Sequence, residues 1–355
     1  MKLKKVISIL TAAALTVTGL SGCNSSDNTS TNISASVNTE DDFVLKIGYG
    51  GGLCEAPLHI AAQNGYFEEE GLKFEMVRVD AAETVSAVGS GKLDAGFGMI
   101  AKFLPPIENG LPIRLTAGID KGCTKVLVKA DSGINSVEDL KGKKLGVPGL
   151  AAAPSIILKR SLTKAGIDIS PESGQVEWAV FNMGDLPAAL NNNAIDAAGM
   201  ADPASSLAKK EYGFKYLIDT ATDPDYKDEY CCSIFVTEDV IKNHPEAAEK
   251  FTRAVMKASL WVKDNVEEAT KIQVENNWVA GDSEFNADIL ADYDFNPSVQ
   301  GGYDALKAVV PELQKIDLLK QDTDVDAFVD KSYYFIDGLT DEEVYAEYEK
   351  SKADK

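Results

Sequence analysis

Histidine is nearly absent from this chain, with two in 355 residues, His59 and His244. Two histidines with no recognisable spacing cannot build a zinc site, and no Ser–His–Asp or Cys–His pairing is suggested. No metal, no cofactor and no catalytic residue are therefore expected, and the chain does not read as an enzyme. Basic charge is the second scarcity. Thirty-five Lys and Arg stand against 56 Asp and Glu, a formal net charge of −21. That balance excludes the basic footprint which nucleic acid requires, but it reports on solubility and steering rather than on any one cleft. Nucleotide-cradling glycine motifs are missing too. The run Gly50-Gly51-Gly52 lacks G-x-G-x-x-G spacing, and no G-x-x-x-x-G-K-[ST] occurs. After the first twenty residues no apolar run of membrane-spanning length follows.

What is present begins with an export pattern. Lys2, Lys4 and Lys5 precede an apolar stretch from Val6 to Leu20 and then small residues, as in a signal peptide over 1–22. Leu20-Ser21-Gly22-Cys23 resembles a bacterial lipobox, so Cys23 is expected to carry lipid and to hold the protein at the outer face of a cell membrane. Of the nineteen residues 24–42, twelve are Ser, Thr or Asn, and 23–42 reads as a lipidated Cys and a disordered tether. About 310 residues remain for the folded body, more than one ordinary core, and two lobes are expected.

The chain also echoes itself at a spacing of about a hundred residues. Lys46-Ile47-Gly48-Tyr49 recurs as Lys144-Leu145-Gly146-Val147, and Ala56-Pro57 as Ala153-Pro154. Gly71-Leu72 recurs as Gly166-Ile167, and Leu93-Asp94-Ala95 as Ile195-Asp196-Ala197. The order predicts two related βαβαβ units. Strands are expected at Val44–Tyr49, Lys73–Val79 and Ala95–Met99, then at Lys144–Val147, Val176–Phe181 and Ala197–Met200. Helices are expected over Pro57–Phe67, Thr84–Ser90, Pro154–Ala165 and Leu186–Asn192. Alternation of this kind indicates parallel, doubly wound α/β sheets. Ile113–Ala117 and Thr124–Lys129 read as strands leaving the first lobe, and Cys231–Val236 as the strand returning. A helical tail with apolar spacing over Phe251–Val262 and Val325–Phe335 is assigned to the first lobe. The expected domains are 43–125 plus 230–355 for lobe 1 and 126–229 for lobe 2, joined by a two-crossing hinge.

In open α/β sheets ligands bind beyond the carboxyl ends of the strands. Here those loops are Gly50-Gly51-Gly52-Leu53-Cys54 and Gly149-Leu150-Ala151-Ala152-Ala153, both leading into helices. Such small side chains let backbone N–H groups approach a ligand, and helix N-termini favour an anion; tight strand-to-helix packing is the other explanation. Asp80 and Glu83 fit a capping box, with Glu83 also open to ligand contact. Asp202, before Pro203, is either a helix cap or a ligand contact. Glu55 reads as a solvated loop acid, and His59 as a core or surface residue on an apolar helix. Outside the cytoplasm Cys123 could pair with Cys231 or Cys232; buried free thiols are the alternative.

The series Pro57-Leu58-His59-Ile60-Ala61, Gly65-Tyr66-Phe67, Gly71-Leu72, Gly91-Lys92-Leu93-Asp94, Ser136–Val147 and Asp202-Pro203 resembles the nitrate/sulfonate/taurine-type substrate-binding proteins of ABC importers. The resemblance covers about residues 44–265 and extends to thiamine-pyrimidine-precursor binding proteins. It implies a periplasmic-binding-protein fold, a small-molecule ligand, a partner permease with its ATPase, and a monomer that closes on its ligand. By position it implies a pocket of Gly51, Leu53, Cys54, Ala82, Glu83, Met99, Ile100, Cys123, Ala152, Ala153, Ser155, Met183 and Asp202. None of these is Arg or Lys, so an anion would depend on backbone donors.

Overall fold

The computed structural model describes residues 43–80 and 83–353. The expected signal peptide, the lipidated Cys23, the tether and Ala82 lie outside the described residues. Among the described residues no helix is long and apolar enough to cross a membrane.

Ten strands are described. They are β1 Leu45–Tyr49, β2 Phe74–Arg78, β3 Ala95–Met99, β4 Ile113–Asp120, β5 Thr124–Val128, β6 Lys143–Val147, β7 Val176–Val180, β8 Ala197–Ala201, β9 Lys215–Asp219 and β10 Cys232–Thr237. They form two sheets of order β2-β1-β3-β10-β4 and β7-β6-β8-β5-β9. Both sheets are mixed rather than parallel throughout. Three strands of each repeat unit run parallel, but β10 is antiparallel to β3 and β4, and β5 to β8 and β9. The antiparallel member of each sheet is the strand delivered by a crossing, so it enters from the opposite end. Strand β5 pairs with the second sheet from Thr124 onward, and the crossing therefore falls at 121–123. Thr124 and Lys125 belong to the second sheet, not to lobe 1 as the expected boundary at 125 would have it.

The internal echo has a physical counterpart. Gly48 of β1 lies under Leu93, and a Cβ there would stand 2.5 Å from Leu93 Cδ1; at Gly146 of β6 it would stand 2.2 Å from Ile195 Cδ1. Asp94 Oδ2 accepts from Lys46 N at 2.9 Å, and Asp196 Oδ2 accepts from Lys144 N at 2.8 Å. In both lobes the repeated Gly admits an aliphatic side chain, and the repeated Asp ties the start of one strand to its neighbour. That requirement explains why these residue types recur together.

The helices are α1 Ala56–Gln63, α2 Tyr66–Glu69, α3 Thr84–Gly89, α4 Ile100–Glu108, α5 Ala153–Lys164, α6 Leu186–Asn191 and α7 Ala204–Tyr212, followed by α8 Glu238–Asn243, α9 Pro245–Asp264, α10 Val266–Glu275, α11 Ser283–Leu290, α12 Val299–Lys315, α13 Val325–Ser332 and α14 Asp341–Ala353. The single helix expected over Pro57–Phe67 is split, because Gly65 takes a left-handed φ of 82° between α1 and α2. Helix α13 ends at Ser332 rather than Phe335, since Tyr333 turns extended and bridges to Leu115 of β4. Strand β9 and helix α4 had no counterpart in the sequence reading.

Helix α9 packs on α1, and α12 and α13 pack on β4, so the C-terminal tail covers the first sheet. One core cluster runs through that lobe and reaches Val126, Val128 and Ile156 of the second. The outer face of the second sheet has its own smaller cluster, around Leu127, Leu186, Leu190, Ile195 and Met200.

Candidate functional site

The loop after β1 meets the two crossings at one place. Leu53 N donates to Asp202 O at 3.4 Å, and Asp202 N donates to Cys123 O at 3.4 Å. Ile100 N donates to Cys231 O at 2.8 Å, and Met99 pairs with Cys232 across β3 and β10. Of the expected pocket residues, Leu53, Met99, Ile100, Cys123 and Asp202 thus converge. Cys54 joins them through contacts with the thiols of Cys123 and Cys232.

Asp202 is nearly fully buried and its carboxylate is committed to protein donors. Oδ1 accepts from Ser205 Oγ, from Ser206 Oγ at 2.7 Å and from Ser206 N at 3.2 Å, which caps the first turn of α7. Oδ2 accepts from the Tyr293 hydroxyl at 2.8 Å, with Lys125 Nζ 3.9 Å away. Burial pushes this carboxyl up, and Lys125 and the hydroxyl donors oppose the rise. Since Tyr293 follows α11 in the C-terminal tail, Asp202 ties the second sheet to the helices that cover the first.

Glu55 is not the solvated acid that its loop position suggests. Both its oxygens accept from Gly50 N, at 3.0 and 2.9 Å, so it closes the glycine loop on itself. Burial raises its carboxyl to about 7, against the pull of the Gly50 and Gly52 N–H groups and of Lys102 and Arg78. His59, one helical turn on, is fully buried. Gln273 Nε2 lies 2.9 Å from its Nδ1; with the amide donating, Nδ1 accepts and the proton sits on Nε2. That Nε2 is 3.9 Å from Glu55 Oε2 and has no hydrogen-bond partner among the described residues. Burial, reinforced by Arg78, lowers the imidazole to about 3, so it is neutral at physiological pH. Trp278 stacks on the ring at 4.7 Å, and Tyr49 meets it edge-on at 5.5 Å. Tyr49, Trp278, Gln273 and Tyr293 were not singled out in the sequence. Three of them come from the helical tail, whose periodicity marks packing and carries no sign of a site.

The remaining expected residues lie apart from this convergence. Ser155 is buried, and its hydroxyl donates to Gly149 O, closing the turn before α5. Ala152 and Ala153 are half-buried at the start of that helix, which has no side-chain cap. Met183 opens a short turn after β7. Glu83 is exposed, and it occupies the N-cap position of α3 itself without a side-chain cap bond, so the expected capping box with Asp80 does not form. Gly51 is exposed in the first loop. A Cβ at Gly51 would meet nothing closer than Trp278 O at 3.5 Å, and at Gly149 nothing closer than Ala152 Cβ at 3.8 Å. Neither glycine has a positive φ. The fold has room for a side chain at both positions, unlike at Gly48 and Gly146.

The four described cysteines are free thiols. Cys123 Sγ lies 3.4 Å from Cys231 Sγ and 3.5 Å from Cys232 Sγ, so the neighbourhood expected from the two crossings is present.

Residues 55–269 match the family described as NMT1/THI5 like. The chain belongs to the NMT1/THI5-like family. Within that family it is 27% identical over 214 residues to the 4-amino-5-hydroxymethyl-2-methylpyrimidine phosphate synthase of Aspergillus parasiticus. The match takes in 58% of this chain and spans 62% of that relative's length. Among solved structures, the periplasmic aliphatic sulphonate-binding protein of Escherichia coli superposes with a TM-score of 0.66 at 17% identity, covering 83% of this chain and 93% of that one. The periplasmic nitrate-binding protein of Synechocystis PCC 6803 gives a TM-score of 0.69 at 16% identity, covering 87% and 88%. This NMT1/THI5-like chain therefore has the α/β periplasmic-binding-protein fold of the sulfonate- and nitrate-binding proteins.

Proposed function

We propose that this protein is the solute-binding component of an ABC importer, with no catalytic step of its own. It is held as a monomer outside the cytoplasm by a lipid on Cys23, captures a small molecule between its lobes, and delivers it to a permease driven by an ATPase. The observation that carries this reading is the pair of small-residue loops at matched strand ends. Gly51 and Gly149 are small where a Cβ would make only ordinary contacts, so their size is free to serve a ligand that approaches the starts of α1 and α5. Lobe motion about the crossings near Cys123 and Tyr230 then favours whichever state makes more ligand contacts. The names of the sulphonate- and nitrate-binding structures support transport. A sensory binding module on the same fold is the competing role.

Two ligand classes fit. The uncapped start of α5 and the glycine loop suit a small anion or zwitterion such as a sulfonate, taurine or nitrate. The wall behind Gly51 favours a second class, a neutral or weakly basic heteroaromatic such as a pyrimidine vitamin precursor. Tyr49 and Trp278 offer flat apolar surface, and Glu55 is poised near neutrality to accept or donate a hydrogen bond. We favour the heteroaromatic, since Glu55 opposes a bare anion. A thermal-shift screen against nitrate, taurine, alkanesulfonates and aminopyrimidines tests this. A ligand at 100 times its dissociation constant should add about 2.7 kcal/mol of stability. Shifts confined to sulfonates would return the site to anion binding, and no shift with any class would remove the transport reading's main support.

A further inference from the structure

Four buried donor groups meet at the hinge, where the thiols bond chiefly to one another and one carboxylate oxygen has no partner among the described residues. Asp120 is the last residue of β4, Cys123 lies in the outgoing crossing, and Cys231 and Cys232 lie where the chain returns into β10. One ligand atom from each lies within 4.8 Å of all the others, and all four residues are buried. The three sulfurs form a near-equilateral triangle with edges of 3.4, 3.5 and 3.5 Å. Asp120 Oδ1 is 3.3 Å from Cys231 Sγ. Asp120 is 0% exposed, and its other oxygen, Oδ2, is buried with no hydrogen-bond partner among the described residues. A buried carboxylate oxygen left without a donor is costly. The adjacent cation, Lys121, is turned to Asp294 at 2.9 Å.

We propose that Asp120, Cys123, Cys231 and Cys232 form a site for one thiophilic divalent cation of the zinc(II) type, bound at the two crossings between the lobes. Three thiolates and one carboxylate are a borderline-soft set suited to tetrahedral zinc. With zinc–sulfur bonds of about 2.3 Å, tetrahedral sulfur–sulfur edges are about 3.8 Å, so the triangle needs to open by only a few tenths of an ångström. The cation would supply the positive charge that the cluster lacks, and the ligand protons would leave to solvent as it binds. It would also join the outgoing and returning strands at one point, stiffening the pivot. The donors are spread from 120 to 232, and no local C-x-x-C pair marks them, which is why the sequence suggested no metal site. The inference is independent of the transport reading and of any organic ligand.

The test uses the full chain, reduced anaerobically, stripped with a chelator and titrated with cobalt(II) and then zinc(II), with no organic ligand present. The expected result is one cobalt per chain with thiolate-to-cobalt charge-transfer bands and visible bands of tetrahedral intensity, abolished by one equivalent of zinc. Cys123→Ser and Cys232→Ser should each weaken zinc binding by at least roughly 100-fold, since even an outer-shell partner is worth about 10- to 100-fold. Asp120→Asn should keep the sulfur bands and bind at least about 10-fold more weakly. Absence of charge-transfer bands in the reduced wild-type chain would overturn the proposal, whatever the variants do. So would bands unchanged in a folded Cys123→Ser or Cys232→Ser protein. A protein isolated two hydrogens lighter, through a Cys123 disulfide, whose reduced form ignores cobalt would overturn it in favour of a redox pair.

Discussion

The two sheets share a strand order, a glycine under an aliphatic side chain and an aspartate at a strand entry, yet they are finished differently. From the tail, α8, α9, α12 and α13 pack on the strands of the first sheet, while the second has α5, α6 and α7 and a small separate cluster on one face. The tail also brings Gln273 and Trp278 against His59 of the first lobe, and Tyr293 against Asp202 of the second. Repetition thus set the scaffold twice, and the unrepeated tail made the halves unequal.

The tie between the halves should be the most sensitive point. Asp202→Ala leaves the Tyr293 and Ser205 hydroxyls and the Ser206 N–H without their acceptor, while Lys125 keeps Asp219; we expect a loss of about 3 kcal/mol in urea unfolding, as for buried donors left unpaired at roughly 1–3 kcal/mol each. Affinity at a folded Asp202→Asn site should change far less than stability. An unchanged midpoint in Asp202→Ala would show that the carboxylate serves the ligand instead.

The next effect belongs to the first lobe alone. Glu55 is raised from 4.5 to about 7, so the folded state holds its proton longer than the unfolded chain, and stability falls as pH rises through that window. His59 is lowered from 6.5 to about 3, so there the folded state holds fewer protons and stability rises with pH between 3 and 6.5. The two slopes oppose each other between 4.5 and 6.5. Glu55→Gln should therefore steepen the rise of stability with pH relative to wild type by about 1.4 kcal/mol per unit, and His59→Gln should do the reverse. Parallel curves for wild type and Glu55→Gln would place Glu55 in water.

Matched substitutions in the two lobes come third. Gly48→Ala and Gly146→Ala should each cost about 1–3 kcal/mol by overpacking against Leu93 and Ile195. Hydrogen exchange should show the Gly146 variant loosening the second sheet while the first stays protected. Equal loosening of both sheets would mean that they unfold as one unit. Smallest in stability are Gly51→Ala and Gly149→Ala, expected within about 0.5 kcal/mol of wild type. Once a ligand is in hand each should weaken its binding at least tenfold; titration calorimetry that finds full affinity in both would remove the loops from the site.

Much of this was legible beforehand. Hydrophobic alternation and the paired Gly and Asp located nine of the ten described strands to within a few residues and placed the loops at strand ends, because those features answer to local packing. Strand β9 was missed since Lys215–Asp219 is half-buried at a sheet edge and lacks a continuous apolar run. Glu55 was misjudged as a solvated loop acid, and His59 was left open between core and surface, because burial depends on what folds over them. Here that cover is Trp278 and Gln273, more than two hundred residues away.

By itself, then, the sequence determined the repeated unit, the strand-end glycines and the acidic, histidine-poor character of the chain, all of which follow from residue type and short-range spacing. Only the tertiary structure decided that both sheets are mixed, that Asp202 is spent on Tyr293 and α7, and that Asp120 meets three thiols. Those outcomes depend on which strand crosses between lobes and from which end it enters, and no local pattern of side chains encodes that direction.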